Sequence, residues 1–176
     1  GIMVPHVMSA QEARDIVQMT RFQPLGRRAI DGGNADGWYC QIPAERYVAS
    51  ANRERFVVLQ IEDPEAFDEL DNIAAVPGYD MLFFGPGDYS HGIGKVGQMD
   101  CAEVNRARKA VVEAATRAGK FAGTTCKPEK APDMWALGYQ FIAVGSDVAG
   151  LTQHFNSTRQ TLADAGLLDD AESSFG

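Results

Sequence analysis

The order strand, helix, strand, helix recurs along this chain, and that alternation restricts it to a parallel sheet whose strands are joined by crossover helices. Its clearest instance is Tyr79-Asp-Met-Leu-Phe-Phe-Gly-Pro-Gly-Asp-Tyr-Ser90. The apolar centre, Met81 to Phe84, is unbroken and stops at Gly-Pro-Gly, as a strand covered on both faces does. The turn that follows offers unencumbered backbone N–H groups at Gly87 and Asp88, beside one carboxylate. Bared amides hold small anions, and carboxylates hold hard cations. Phe56-Val-Val-Leu-Gln-Ile-Glu62 likewise runs from apolar residues into an acid. Two parallel strands ending in carboxylates on one rim point to a metal site.

At 176 residues, 45% of them hydrophobic, the chain has room for one domain with a real core. The net charge is −8 and no basic run interleaves with aromatics, which argues against nucleic acid as a partner. No apolar run nears the ~20 residues that span a bilayer, so no membrane partner is expected. Cys40, Cys101 and Cys126 lack CxxC spacing, which excludes a zinc ribbon and reads as reduced thiols in a cytoplasmic protein. The chain opens Gly-Ile-Met-Val-Pro, already inside an apolar strand. Truncation, proteolysis or a further N-terminal part is the expectation.

Ile2 to Val7 reads as the first strand. Ser9-Ala-Gln-Glu12 is a capping box for a helix carrying Ala13, Ile16, Val17 and Thr20 on one face. The glycine-rich stretch from Phe22 to Trp38 reads as an ordered lid or interface loop, given Ile30, Trp38 and Tyr39. Pro43 stands at the first position of a helix running to about Asn52. After the strand ending in Glu62, Asp63 caps and Pro64 opens a helix through about Asn72. Beyond the Gly-Pro-Gly-Asp turn lies a loop of small residues, His91 to Gly97. Asp100 caps a helix with Val104, Ala107, Val111 and Ala115 as its buried stripe, and Gly119 closes it. A strand from Lys120 to Thr124, a helix from Pro128 to near Gly138, a strand from Phe141 to Gly145 and a helix over about 148–165 complete the pattern. The expected organisation is one domain over 1–167 and a polar tail over 168–176. Five strands suffice for an open doubly wound sheet; a closed (β/α) barrel needs eight, three of them ahead of Gly1.

Val4-Pro5, Pro24-Leu-Gly-Arg-Arg28, Gln60-Ile-Glu62, Gly85-Pro-Gly-Asp-Tyr-Ser90 and Val144-Gly-Ser-Asp147 stand in the order and spacing of one family. In these residues the chain resembles the HpcH/HpaI aldolases, the class II, metal-dependent pyruvate aldolases that include 2-dehydro-3-deoxyglucarate and 4-hydroxy-2-oxoheptanedioate aldolases. The resemblance implies an α/β TIM (β/α)8 barrel of the phosphoenolpyruvate/pyruvate type, with strands four to eight present here. It implies Glu62 and Asp88 as metal ligands, and the amides of Gly87 and Asp88 as the cradle for the pyruvate carboxylate. Gln60 shares the rim with Glu62, and a period of two places both on one strand face. The resembled family also uses a His–Asp pair and an Arg from its second and third strands, which no residue here matches.

The implied cofactor is Mg²⁺ or Mn²⁺, with Co²⁺ or Zn²⁺ as further candidates, because two protein oxygens leave room for water and a chelating oxo acid. The implied reaction cleaves 4-hydroxy-2-oxo acids to pyruvate and an aldehyde, in a homo-oligomer. A CoA-ester lyase of the same superfamily is the alternative and would need a basic cleft. A barrel fragment that functions only by association is another. Read from the residues alone, Glu62 is equally a helix-N-terminal acid and Asp88 a turn aspartate. His6, at a strand end, either touches substrate or is a satisfied structural histidine. Arg28 either holds an anionic substrate end or anchors the long loop. His91 borders the site or is solvated, and His154 reads as helix surface. Gly32-Gly-Asn34 reads as an anion nest without nucleotide-loop spacing. Gly145-Ser146 reads as a helix-N-terminal anion site, Asp147 as that helix's N-cap, and Trp135 and Tyr139 as packing.

Overall fold

The computed structural model describes residues 1–168. Strands β1 (Ile2–Val4), β2 (Val57–Ile61), β3 (Met81–Phe84), β4 (Phe121–Cys126) and β5 (Phe141–Val144) form one sheet in the order 1-2-3-4-5. Every pair is parallel, with Leu59 opposite Leu82 and Leu82 opposite Ala122. This sequential order decides between the two architectures left open above. A doubly wound sheet reverses its strand order, whereas winding that always advances generates the arc of a (β/α) barrel.

The helices are α1 (Ala10–Thr20), α2 (Ala44–Glu54), α3 (Leu70–Ala74), α4 (Pro86–Gly92), α5 (Ala102–Arg117), α6 (Ala131–Leu137) and α7 (Asp147–Asp164). Helices α1, α3, α5 and α6 pack on one sheet face, while the buried residues of α2 form a separate cluster with Phe22 and α7 buries none of its residues. Alternate strand residues Val57, Leu59, Ile61, Leu82, Phe84 and Ala122 share a core with Ala13, Val17, Ile73, Val104, Val111 and Ala115. Val58, Gln60, Met81, Phe83, Gly123 and Phe141 point the other way, by the same period. There Phe83 and Phe141 meet edge to face, 6.2 Å between centroids, and a Cβ on Gly123 would strike Phe83 and Met81.

The expected capping box is present: Ser9 Oγ accepts from the Glu12 N–H, and Glu12 accepts from the Ser9 N–H. The α5 stripe of Val104, Ala107, Val111 and Ala115 is buried. Gly119, with φ 67°, follows α5, and Gly138, with φ 114°, ends α6.

Other expectations need correction. β1 stops at Val4, not Val7, because Pro5 brings no N–H and His6 turns into the left-handed region at φ 55°. Pro43 is the N-cap of α2 rather than its first residue. The helix expected from Pro64 to Asn72 divides into a 3₁₀ turn, Pro64–Asp68, and α3. Asp63 gives that turn no side-chain cap; its carboxylate is bound by His6. Gly85-Pro-Gly-Asp88 is not a free turn but the entry to α4, which absorbs His91 from the expected loop. Asp100 does not cap α5, since Arg108 takes its carboxylate at 3.1 Å. Ser146, not Asp147, caps α7, its Oγ accepting from the Ala149 N–H. The nest at Gly32–Asn34 is closed by Asp31, whose Oδ1 accepts the Gly33 N–H at 2.9 Å. Tyr139 is core, but Trp135 is exposed, as are Ile30, Trp38 and Tyr39 of the long loop. The expected polar tail falls, beyond Leu168, outside the described residues. No described helix is long and apolar enough to cross a membrane.

Candidate active site

The C-terminal tips of β2 and β3 lie side by side. The Gly85 N–H donates to the Ile61 carbonyl at 3.1 Å, continuing the ladder one step past the strands and setting Glu62 against Gly85. Glu62 shares the concave face with Gln60, two residues before it, and its side chain is only 1% exposed. The absent side chain at residue 85 makes the room: a Cβ there would lie 2.8 Å from Glu62 Cβ and collide with Oε2. Gln60 Nε2 donates to Oε2 and the His6 N–H donates to Oε1 at 3.1 Å, so both carboxylate oxygens are oriented. The kink that ends β1 at Pro5 and His6 therefore aims a backbone donor at the acid of the next strand.

Burial pushes the Glu62 carboxyl above its ordinary pKa, and the negative charge of Asp88 adds to the rise. The bonds from His6 and Gln60 oppose it without cancelling it. A buried carboxylate is stabilised by a paired cation. Here the charges that act on Glu62 most are His6 and a second acid, and no lysine or arginine is among them. The donor set is oxygen-only and anionic, which suits a hard divalent cation. Among the described residues no cluster of three or more metal-ligating side chains exists. These two acids alone would leave the remaining positions of such an ion to water and substrate.

Asp88 is the third residue of α4, exposed on the same rim. The N–H groups of Gly87 and Asp88 belong to the unsatisfied first turn of that helix, and the first bond inside it comes from Tyr89 N–H to Gly85 carbonyl at 3.1 Å. Phe84, Tyr89 and Phe67 form a ring cluster behind this turn and hold it in place.

One pair was invisible in the sequence. His6 Nδ1 lies 3.0 Å from Asp63 Oδ2 and 3.6 Å from Glu62 Oε1, with the imidazole side chain 58% exposed. A carboxylate only accepts, so Nδ1–H donates. That bond, with the charges of Asp63 and Glu62, raises the His6 pKa. His6 is thus no interior structural histidine but a rim residue joined to both acids that follow β2. Its presence at a strand end was a readable signal; its partner was not.

Arg28 is not brought to this rim. It lines a cavity with Ile2 and Val57, the first residues of β1 and β2, at the opposite end of the strands. There its guanidinium stacks over Phe22 at 4.6 Å, donates to Tyr47 Oη at 3.2 Å and lies 3.6 Å from Asp36. That arrangement ties the long loop to α2. His91 is exposed within α4, and His154 is exposed on α7.

The HpcH/HpaI aldolase/citrate lyase family description matches residues 1–153. The chain is 37% identical over 155 residues to a hydroxypyruvate/pyruvate aldolase of Delftia acidovorans, covering 86% of this chain and 56% of that protein. It is 35% identical over 155 residues to a 2-keto-3-deoxy-L-rhamnonate aldolase of Klebsiella pneumoniae, with 86% and 57% covered. The HpcH/HpaI aldolase structure from Desulfitobacterium hafniense superposes with a TM-score of 0.81 at 30% identity, over 97% of this chain and 65% of that one. The chain therefore spans somewhat over half the length of the curated relatives it matches, and its five strands are an arc of that fold.

Proposed function

The chain belongs to the HpcH/HpaI aldolase/citrate lyase family, and from that membership we propose that it forms the cation-holding part of a divalent-metal aldolase acting on 4-hydroxy-2-oxo acids. The observation that carries this reading is the buried, oriented Glu62 carboxylate, which feels the charge of Asp88 and has no lysine or arginine among the charges that act on it most. Mg²⁺ or Mn²⁺ fits that oxygen pair and would supply Lewis acidity toward the 2-oxo group as the C3–C4 bond breaks. Glu62 and Asp88 would hold the ion. Gln60 and the His6 N–H fix the Glu62 carboxylate, so no reorganisation is needed when charge develops. The first-turn amides of Gly87 and Asp88 face the carboxylate of the oxo acid. His6, anchored by Asp63 and 3.6 Å from Glu62 Oε1, stands on the same rim. In the reaction the C3–C4 electrons pass to C2 and its oxygen, the C4 hydroxyl gives up its proton, and C3 gains one as pyruvate forms.

This chemistry needs no Schiff base. Lys120 precedes β4 at the opposite rim, where Nζ donates to the Tyr79 carbonyl at 3.0 Å. Pyruvate with borohydride is expected to leave the protein's mass unchanged, while Mg²⁺ or Mn²⁺ drives exchange of the pyruvate methyl protons in the complete protein and EDTA stops it. A borohydride-trapped adduct would refute the metal-dependent assignment.

We further infer a homo-oligomer. Helix α7 buries none of its residues, and Val148, Leu151, Phe155 and Leu162 fall at helical spacing on one exposed face. A second copy of the chain supplies the matching face. Light scattering should give a multiple of 19.1 kDa; a strictly monomeric chain at tens of micromolar would rule this out. A cytoplasmic setting fits the three unpaired cysteines.

A further inference from the structure

Pro5 and His6 interrupt the ladder between β1 and β2 at one place. The Ile2 N–H donates to the Phe56 carbonyl at 3.0 Å, and Val4 stands opposite Leu59. Continued at two residues per step, that ladder would bring the His6 N–H to the Gln60 carbonyl. The Val7 N–H takes that carbonyl instead, at 3.2 Å. One extra residue is thereby inserted on the β1 side, as in a β-bulge. The insertion releases the His6 N–H from the ladder, and it donates to Glu62 Oε1 at 3.1 Å.

This release places His6 at φ 55°, a left-handed conformation that suits glycine and is strained for a residue with a Cβ. Among the described residues, the other non-glycines with positive φ are Trp38, Tyr39 and Cys40, all in or next to the long loop and away from Glu62. A strained residue persists where its surroundings over-determine it. Both flanks of His6 are fixed, Val4 by strand pairing and Val7 by burial in the core. The side chain adds a third tie, Nδ1–H donating to Asp63 Oδ2 at 3.0 Å. The neutral Nδ1–H tautomer and the imidazolium both make this bond, so it does not depend on the charge of His6. At 3.6 Å from Glu62 Oε1, Nδ1 itself is too far to hydrogen-bond that oxygen. The backbone of His6, not its ring, orients the buried acid.

We propose that His6 is a positioning residue for Glu62: its imidazole, tied to Asp63, locks the left-handed bulge that aims the His6 N–H at Oε1, and so keeps the carboxylate oriented for a cation. The proposal rests on the reading of Glu62 as a cation ligand. A glycine at this position would reach the same backbone without strain, whereas an alanine would lose the tie and keep the strain.

His6→Gly and His6→Ala test it in the 176-residue chain at one fixed pH, with Mn²⁺ binding followed by the EPR signal of the free ion. Both variants delete the same imidazole and whatever charge it carries, so the difference between them reports the backbone alone. His6→Ala should bind Mn²⁺ about tenfold or more weakly than wild type, the scale on which the hydrogen-bonding partners of a metal ligand act. His6→Gly should recover most of that loss. In thermal melts without metal His6→Ala should also fall below His6→Gly. A role confined to stability would give that order in the melts with equal Mn²⁺ affinity in the two folded variants, and would overturn the proposal. Asp63→Ala should weaken binding more in wild type than in His6→Gly, where the tie is already absent; the cycle cancels the loss of the Asp63 charge common to both. That arm decides the matter if the alanine variant at position 6 does not fold, and equal effects in the two backgrounds would overturn the proposal. A wild-type chain that binds no Mn²⁺ would refute the cation reading of Glu62 and this proposal with it; a wild-type chain that binds Mn²⁺ as tightly as His6→Ala would overturn this proposal alone.

Discussion

Glu62→Gln is expected to remove the response of this chain to divalent cations. With Mg²⁺ or Mn²⁺ at about a hundred times its dissociation constant, the wild-type fold should gain about 2.7 kcal/mol, since a ligand that binds only the native state stabilises it by mass action. The variant should gain nothing measurable, because one of two anionic ligands becomes a neutral amide; its cation affinity should fall by about a hundredfold or more. The geometry survives the exchange. A glutamine at 62 still accepts the His6 N–H through Oε1, and the amide of Gln60 can turn to accept from its new neighbour.

The same variant separates electrostatics from packing through pH. The Glu62 carboxyl is raised in the fold above its unfolded value, chiefly by burial. The native state therefore holds its proton more tightly than the unfolded chain does. Without cation, the contribution of Glu62 to stability should be greatest below the unfolded carboxyl pKa and be lost as pH rises through the raised native value. Glu62→Gln should remove that component and leave the one owed to the raised His6 pKa, which Asp63 chiefly sets. Saturating cation should abolish the Glu62 component in the wild type by favouring the ionised form. Denaturant melts from pH 4 to 8, with and without Mn²⁺, check all three statements. A cation response that persists in the variant would place the ion elsewhere.

Arg21→Met is expected to cost about 3 kcal/mol of stability. The buried guanidinium donates from Nε to the Gly78 carbonyl at 2.7 Å, from Nη1 to the Asn52 and Arg55 carbonyls, and from Nη2 to Asp80 Oδ2. Asp80 Oδ2 also accepts the Val57 N–H at 2.7 Å, and the Asp80 carbonyl accepts the Phe121 N–H at 3.0 Å. This one side chain thus fastens α1 to the end of α2 and to the entries of β2, β3 and β4. Its removal strands three carbonyls and a carboxylate; breaking a buried pair costs about 3–5 kcal/mol, and the lower end applies because Asp80 is 39% exposed. Against the ~5–15 kcal/mol stability of an ordinary domain that is a large share. Urea unfolding should show a lower midpoint at unchanged slope. A loss below about 1 kcal/mol would mean the clasp is redundant.

What could be read from the chain was whatever depends on neighbours in sequence. The capping box at Ser9 and Glu12, the α5 stripe and the five apolar strands are local patterns, and the structure contains them. Gln60 and Glu62 share a face because a strand has period two. The structure also sets Glu62 against Gly85 and within the field of Asp88.

Pairings across the chain were not readable. Asp63 and Asp100 both precede helices and look like caps, but each has a donor from elsewhere: His6 Nδ1–H, 57 residues away, and the Arg108 guanidinium, two turns along α5. A charged partner outcompetes an exposed helix terminus for a carboxylate. The Arg21 clasp has the same character: it gathers residues from several elements and leaves no motif. For Arg28 the sequence left a substrate contact and an anchor of the long loop both open, because a positive charge near a glycine-rich loop does not say which end of the strands the loop covers; the structure shows the anchoring contacts.

The central claim is that Glu62 and Asp88 hold one ion between them. Anomalous diffraction from crystals of this chain grown with Mn²⁺ tests it most directly. The account predicts a single Mn²⁺ peak at the tips of β2 and β3, about 2.1–2.2 Å from an oxygen of each carboxylate. A peak held by only one of the two acids, or none at these strand tips, would contradict it.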